Sequence, residues 1–136
     1  MRALLIAAVL LAGGSAGAAG APADPAEARY THAYQKCLDA PEGQSTDGMI
    51  GCADAELKVQ DAALNAAYRK AMADLNPRQK AKLQAAQRAW LAFRDAECAS
   101  YEDDDWGSLS RINAAACTLH MTAQRVIDLQ NYPPGT

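Results

Sequence analysis

Residues 61 to 98, DAALNAAYRKAMADLNPRQKAKLQAAQRAWLAFRDAEC, decide how this chain folds. They read as two amphipathic helices joined at Asn76-Pro77. Leu57, Leu64, Tyr68, Met72 and Leu75 precede the break, and Leu83, Ala86, Trp90 and Phe93 follow it. Steps of three, four and seven keep each set on one helical face. Polar groups fall on the same faces: Asp61 and Asn65 on the first, Gln87 and Arg94 on the second. Closing the hairpin at Asn76-Pro77 brings Asn65 near Gln87, and Asp61 near Arg94. Such a ladder is expected to fix register and not to perform chemistry. A buried arginine needs a carboxylate, and buried amides need partners.

Outward from the hairpin, the pattern stays helical. Asp24-Pro25-Ala26-Glu27 resembles a helix start, with Asp24 as cap and Pro25 at the first helical position. A first helix is expected to run to about Leu38, with Tyr30, Ala33, Tyr34 and Cys37 inward. Residues 39 to 48, DAPEGQSTDG, form a loop. A long alanine-rich helix follows, from about Asp47 to Leu75. Asn76, Pro77 and Gln79 supply a cap, a first-turn proline and a capping box for the third helix, which runs to about Ser100. YEDDDWG, from Tyr101 to Gly107, is an acidic break. A fourth helix is expected over about Ser108 to Leu129, with Ile112, Ala116, Leu119 and Val126 inward. Residues 131 to 136 form a frayed tail. No run alternates as a strand does, so the expected fold is all-α: a small antiparallel helical bundle with a long central hairpin and two flanking helices.

The N-terminus reads as an export signal. Met1-Arg2 gives a charged start, Ala3 to Ala12 an apolar core, and Gly13 to Ala23 a small-residue stretch, with cleavage after Ala18 or Ala23. The apolar run is too short for a permanent membrane anchor. The domain is therefore expected over residues 24 to 130, in the periplasm or secreted. Removing residues 1 to 23 takes away Arg2 and no acid. That leaves 12 basic against 16 acidic residues, a net charge of −4. An acidic chain argues against nucleic acid and suits a basic protein partner.

Cys37, Cys52, Cys98 and Cys117 all lie in the exported part, and an even count there implies two disulfides. Of three possible pairings, the sequence-local one is preferred: Cys37 with Cys52, and Cys98 with Cys117. A bond from Cys52 to Cys98 competes with it. A zinc site is a poor alternative, because C-x-x-C spacing is absent and neither His32 nor His120 is suitably placed.

Asp61, Leu64-Asn65, Tyr68, Gln87-Arg88-Ala89-Trp90, Phe93-Arg94-Asp95 and Cys98 together form a D-x-x-L-N-x-x-Y segment and a Q-R-A-W-x-x-F-R-D segment. With Met49 and Cys52 upstream, and Cys117, Thr122 and Arg125 downstream, this pattern resembles the LprI-like lysozyme-inhibitor family, over roughly residues 37 to 129. The resemblance implies a small secreted helical domain that binds lysozyme and protects peptidoglycan. Steric occlusion of the enzyme's cleft is the expected mode, with a basic c-type lysozyme as the fitting target.

The residues themselves offer no catalytic, cofactor or metal site. Arg94 with Asp61 reads as a structural ion pair, since no nucleophile accompanies it. Trp90, Phe93 and Tyr68 could line a groove, but this spacing favours core. Glu102, Asp103, Asp104, Asp105 and Trp106 are the one feature that the scaffold does not require. A solvated loop is the plain reading. The functional one is an interface that attracts a basic protein and anchors it on a tryptophan. A calcium loop fails, because Gly107 comes one place late. The alternative function is an envelope interaction module with another protein or with peptidoglycan. Oligomeric state is left open by the sequence.

Overall fold

The computed structural model describes residues 23 to 133. The expected signal over 1 to 23 lies, but for Ala23, outside them, as does the tail beyond Pro133. A short 3-10 turn, Glu27–Arg29, precedes four helices: α1 (His32–Asp39), α2 (Thr46–Ala73), α3 (Pro77–Ala99) and α4 (Ser108–Gln130). The described residues contain no strand. The fold is all-α, and two disulfides join Cys37 to Cys52 and Cys98 to Cys117.

The closest helix pair is α2 with α4, not the sequence hairpin α2–α3. Alanines explain it: Ala53, Ala67 and Ala71 of α2 and Ala114 and Ala123 of α4 are buried, and small side chains let the backbones approach. The two helices run parallel. Leu64, Ala67 and Ala71 share one core with Val126 and Leu129, while at the other end Arg111 reaches Asp47 at 3.3 Å. Helix α3 returns between those ends and meets the pair through larger groups, Leu83 and the half-buried Trp90. Its start carries the expected capping box: Asn76 Oδ1 accepts from the Gln79 N–H at 3.0 Å, and Gln79 Oε1 from the Asn76 N–H at 2.9 Å.

The buried face of α2 is rotated from the expected one. It runs through Ala53, Glu56, Gln60, Leu64, Ala67 and Ala71. Leu57, Tyr68, Met72 and Leu75 are consequently only half-buried, and Asp61 and Asn65 are exposed. The polar ladder is corrected accordingly. Asn65 does not meet Gln87 and makes no side-chain hydrogen bond among the described residues. Gln87 instead accepts from Arg125 Nε at 3.1 Å. Arg94 donates to Thr122 Oγ1 at 3.1 Å and to Asp95 at 2.7 Å, with Asp61 farther off at 3.9 Å. Arg94 and Arg125 also lie against Trp90, 5.3 and 5.6 Å from the ring centroid. The register device thus ties α3 to α4.

The first helix is interrupted. Asp24 caps only a turn, by accepting from the Ala26 N–H at 2.8 Å, and the chain is extended at Tyr30 and Thr31. Thr31 restarts the helix, its hydroxyl accepting from the Tyr34 N–H at 3.2 Å. The cause is Glu56 on α2, almost fully buried, which takes the Thr31 N–H and hydroxyl and the Gln60 amide. Gln60 in turn bonds the Arg29 carbonyl and the Arg29 guanidinium. Ala33, expected inward, is exposed. Gly43 is required by close approach: a Cβ there would meet the Cys37 carbonyl oxygen at 2.0 Å.

Candidate functional site

The α3–α4 corner gathers the features that the core does not use. Helix α3 ends at Ala99, pinned by Cys98 to Cys117 on α4. Residues 100 to 107 then turn the chain, and Asp103 shapes the turn by accepting from the Asp105 N–H at 2.8 Å. Gly107 makes the bend at φ +72, the left-handed region where a side chain is strained. Ser110, buried, locks the corner by donating to the carbonyls of Asp103 (3.0 Å) and Gly107 (2.7 Å). All the expected contact residues, Glu102, Asp103, Asp104, Asp105 and Trp106, are exposed. Trp106 is 63 % exposed and the neighbouring Leu109 61 %, large apolar residues that the fold leaves uncovered.

Charge is sorted along α3. From Asp95 to Asp105 stand six acids (Asp95, Glu97, Glu102, Asp103, Asp104 and Asp105) and no base. From Arg69 to Arg88, around the Asn76-Pro77 turn, stand six bases with Asp74 the one acid. The helix is about 34 Å long at 1.5 Å per residue, so the basic turn around Asn76-Pro77 and the acidic residues 102 to 105 lie beyond opposite ends of α3. Within α3 this order opposes the helix dipole, which favours acids in the first turn and bases in the last; α3 has neither. Helix stability therefore does not account for it.

Beside the corner lies a groove of about 670 Å³ between the N-terminal turn, α3 and α4. Tyr30, Tyr34, Phe93 and Tyr101 line it, with Glu27 and Glu97. Phe93, expected in the core, is 57 % exposed; the inner stripe of α3 passes through Leu83, Gln87, Trp90 and Arg94, and Phe93 stands on the groove side. The groove leaves no mark in the sequence because its walls come from three separate segments. Tyr30 and Tyr34 meet edge-on, centroids 5.3 Å apart at 80°. Burial, then the neighbouring Tyr34 and the carboxylates of Glu27, Asp24 and Glu56, push the Tyr30 hydroxyl up to about 12. Burial and the Glu56 and Glu27 carboxylates raise Tyr34 likewise. The Tyr101 hydroxyl donates to Glu97 at 3.1 Å, and that bond raises it.

A family model described as "Lysozyme inhibitor LprI" matches residues 37 to 129, most of the chain. The chain belongs to the LprI lysozyme-inhibitor family. All four cysteines and both ends of the α3–α4 corner fall inside the matched stretch; Glu27, Tyr30 and Tyr34 fall before it. An uncharacterized protein of Rhizobium meliloti (strain 1021) is 31 % identical over 94 residues, 58 % of this chain and 67 % of that one. No solved structure matches. The family is one of inhibitors, and it places this LprI domain among proteins that act by binding. No helix among the described residues is long and apolar enough to cross a membrane.

Proposed function

We propose that this LprI domain is an exported inhibitor that presents its acidic end to a basic lysozyme and covers the enzyme's substrate cleft. The observation that carries the reading is the charge order of α3 and its corner, which helix stability does not explain, joined to an exposed Trp106 within it. Carboxylates at Glu102, Asp103, Asp104 and Asp105 attract a cationic surface at long range. Trp106 and Leu109 supply the apolar area that turns an encounter into a complex. The corner is held by Gly107, Ser110 and the Cys98–Cys117 bond, so little ordering is lost on docking. Export is supported by the N-terminal signal pattern, and two disulfides are compatible with an oxidising compartment.

The test is the clearing of a peptidoglycan suspension by c-type lysozyme, with oxidised mature domain added and a reduced sample alongside. Inhibition that disappears on reduction supports the reading. Undiminished clearing with a folded, oxidised sample rejects it and turns the search to other envelope proteins.

A further inference from the structure

The groove between the N-terminal turn, α3 and α4 is separate from the acidic corner, although Tyr101 on its wall directly precedes Glu102. Four aromatic side chains line it, drawn from two parts of the chain: Tyr30 and Tyr34, and Phe93 and Tyr101. Two carboxylates stand with them. Among the described residues, neither Glu27 nor Glu97 forms an ion pair and no lysine or arginine lines the groove. His120, also on the wall, has Asp24 at 3.8 Å from its Nε2. Aromatic faces with unpaired carboxylates and no resident cation make a site of negative potential with apolar walls.

We propose that this groove receives the basic side chain of a protein partner, an arginine or lysine whose alkyl stem lies against the rings and whose head meets Glu27 and Glu97. The stem gains from leaving water, and the head gains from ring faces and carboxylates together. The Tyr30 hydroxyl is raised first by burial and then by Tyr34 and carboxylates that include Glu27, and the Tyr101 hydroxyl by its hydrogen bond to Glu97 and by that carboxylate's charge, which agrees with the sign of that potential. A neutral sugar would use the rings as well, but would leave the two unpaired carboxylates without their complement. The inference deepens the proposed inhibitor reading and rests on it for the partner's basic character. The site itself can be tested without lysozyme.

The probe is the blocked tripeptide acetyl-Gly-Arg-Gly-amide, titrated into the oxidised domain and followed by NMR on the aromatic side chains. Its citrulline counterpart, of the same shape but neutral, is the control. Saturable shifts at Tyr30, Tyr34, Phe93 and Tyr101 are expected, with the citrulline peptide weaker by about ten-fold. Glu27→Gln with Glu97→Gln should weaken the arginine peptide by about five-fold or more while the unfolding midpoint stays in place, because the amide put in place of the Glu97 carboxylate can still accept from Tyr101. Phe93→Ala, at an exposed position, should weaken it without unfolding the domain. Equal binding of both peptides overturns the proposal. So does unchanged binding after the Glu→Gln pair, or shifts confined to Trp106. Groove binding without lysozyme inhibition would leave the site standing and remove the inhibitor reading; inhibition without groove binding would do the reverse.

Discussion

The hydroxyl of Thr31 donates to Oε2 of Glu56 at 2.5 Å, while its backbone N–H donates to Oε1 of the same carboxylate at 3.1 Å. One residue thus both caps α1 and anchors it to the buried face of α2. Thr31→Ala removes a cap and a bond to a charged acceptor, a loss of about 2–4 kcal/mol. Glu56→Ala strands the Thr31 N–H and loosens Gln60, at a similar cost of about 3 kcal/mol. The two should not add. Urea unfolding of both single variants and the double variant should give a coupling above about 1 kcal/mol; strict additivity would show that the contact does not organise the N-terminal segment.

Tyr30 supplies a dependence on alkaline pH. Its hydroxyl titrates at about 12 in the fold against 10.0 in an open chain, because burial first, then Tyr34 and nearby carboxylates, oppose its charge. A pKa raised by folding leaves stability intact below pH 10 and removes it as pH climbs from 10 through about 12. Tyr30→Phe should flatten that fall while leaving behaviour at neutral pH close to the parent. Chemical denaturation at a series of pH values decides it; an equally steep decline in the variant would mean that other groups cause it.

The disulfides should separate stability from binding. They close loops with sequence separations of 15 and 19, each contributing about 3 kcal/mol on the chain-entropy account. Replacing Cys37 and Cys52 by alanine, or Cys98 and Cys117, should therefore lower stability by comparable amounts. Only the second pair holds the corner that carries Tyr101 and Trp106. Partner affinity should fall several-fold further in Cys98→Ala/Cys117→Ala, measured by calorimetry below both melting points, and equal affinities would detach the corner's geometry from binding.

Much of this arrangement is legible in the sequence, for identifiable reasons. The capping box at Asn76 and Gln79 is local, and local hydrogen bonds leave a local pattern. The buried face of α2 is less so. Hydropathy counts Glu56 and Gln60 as surface, yet they sit in an unbroken three-and-four ladder with Ala53, Leu64, Ala67 and Ala71. Alanine, equally at home inside and outside, also hides the α2–α4 contact. Phe93 reads as core because α3 buries only a narrow stripe, and an aromatic one step beside it is indistinguishable from core until α4 and the N-terminal turn are in place. The acidic corner is visible because nothing in helix formation asks for it.

That corner should act on association more than on dissociation. Asp103, Asp104 and Asp105 are exposed, and converting all three to asparagine should slow association with a basic partner about ten-fold at low salt. The salt dependence should flatten in parallel, since fewer charges are left to screen. Stopped-flow association across a salt series is the measurement. An unchanged rate with an unchanged slope would show that the carboxylates serve only solubility.

Trp106 offers the most direct view of the surface. It is 63 % exposed among carboxylates, whereas Trp90 is half-buried with the guanidiniums of Arg94 and Arg125 against its ring. At low ionic strength caesium ions should quench Trp106 well and iodide poorly, because the loop concentrates cations and repels anions. Trp106→Phe should abolish most of the caesium effect. With the domain's tryptophans fluorine-labelled, the resonance lost in Trp106→Phe should move when lysozyme is added, and that of Trp90 should hold still. A complex that inhibits while leaving the Trp106 resonance in place would assign the contact to another face of the bundle, because an indole so open cannot be covered without a change in its surroundings.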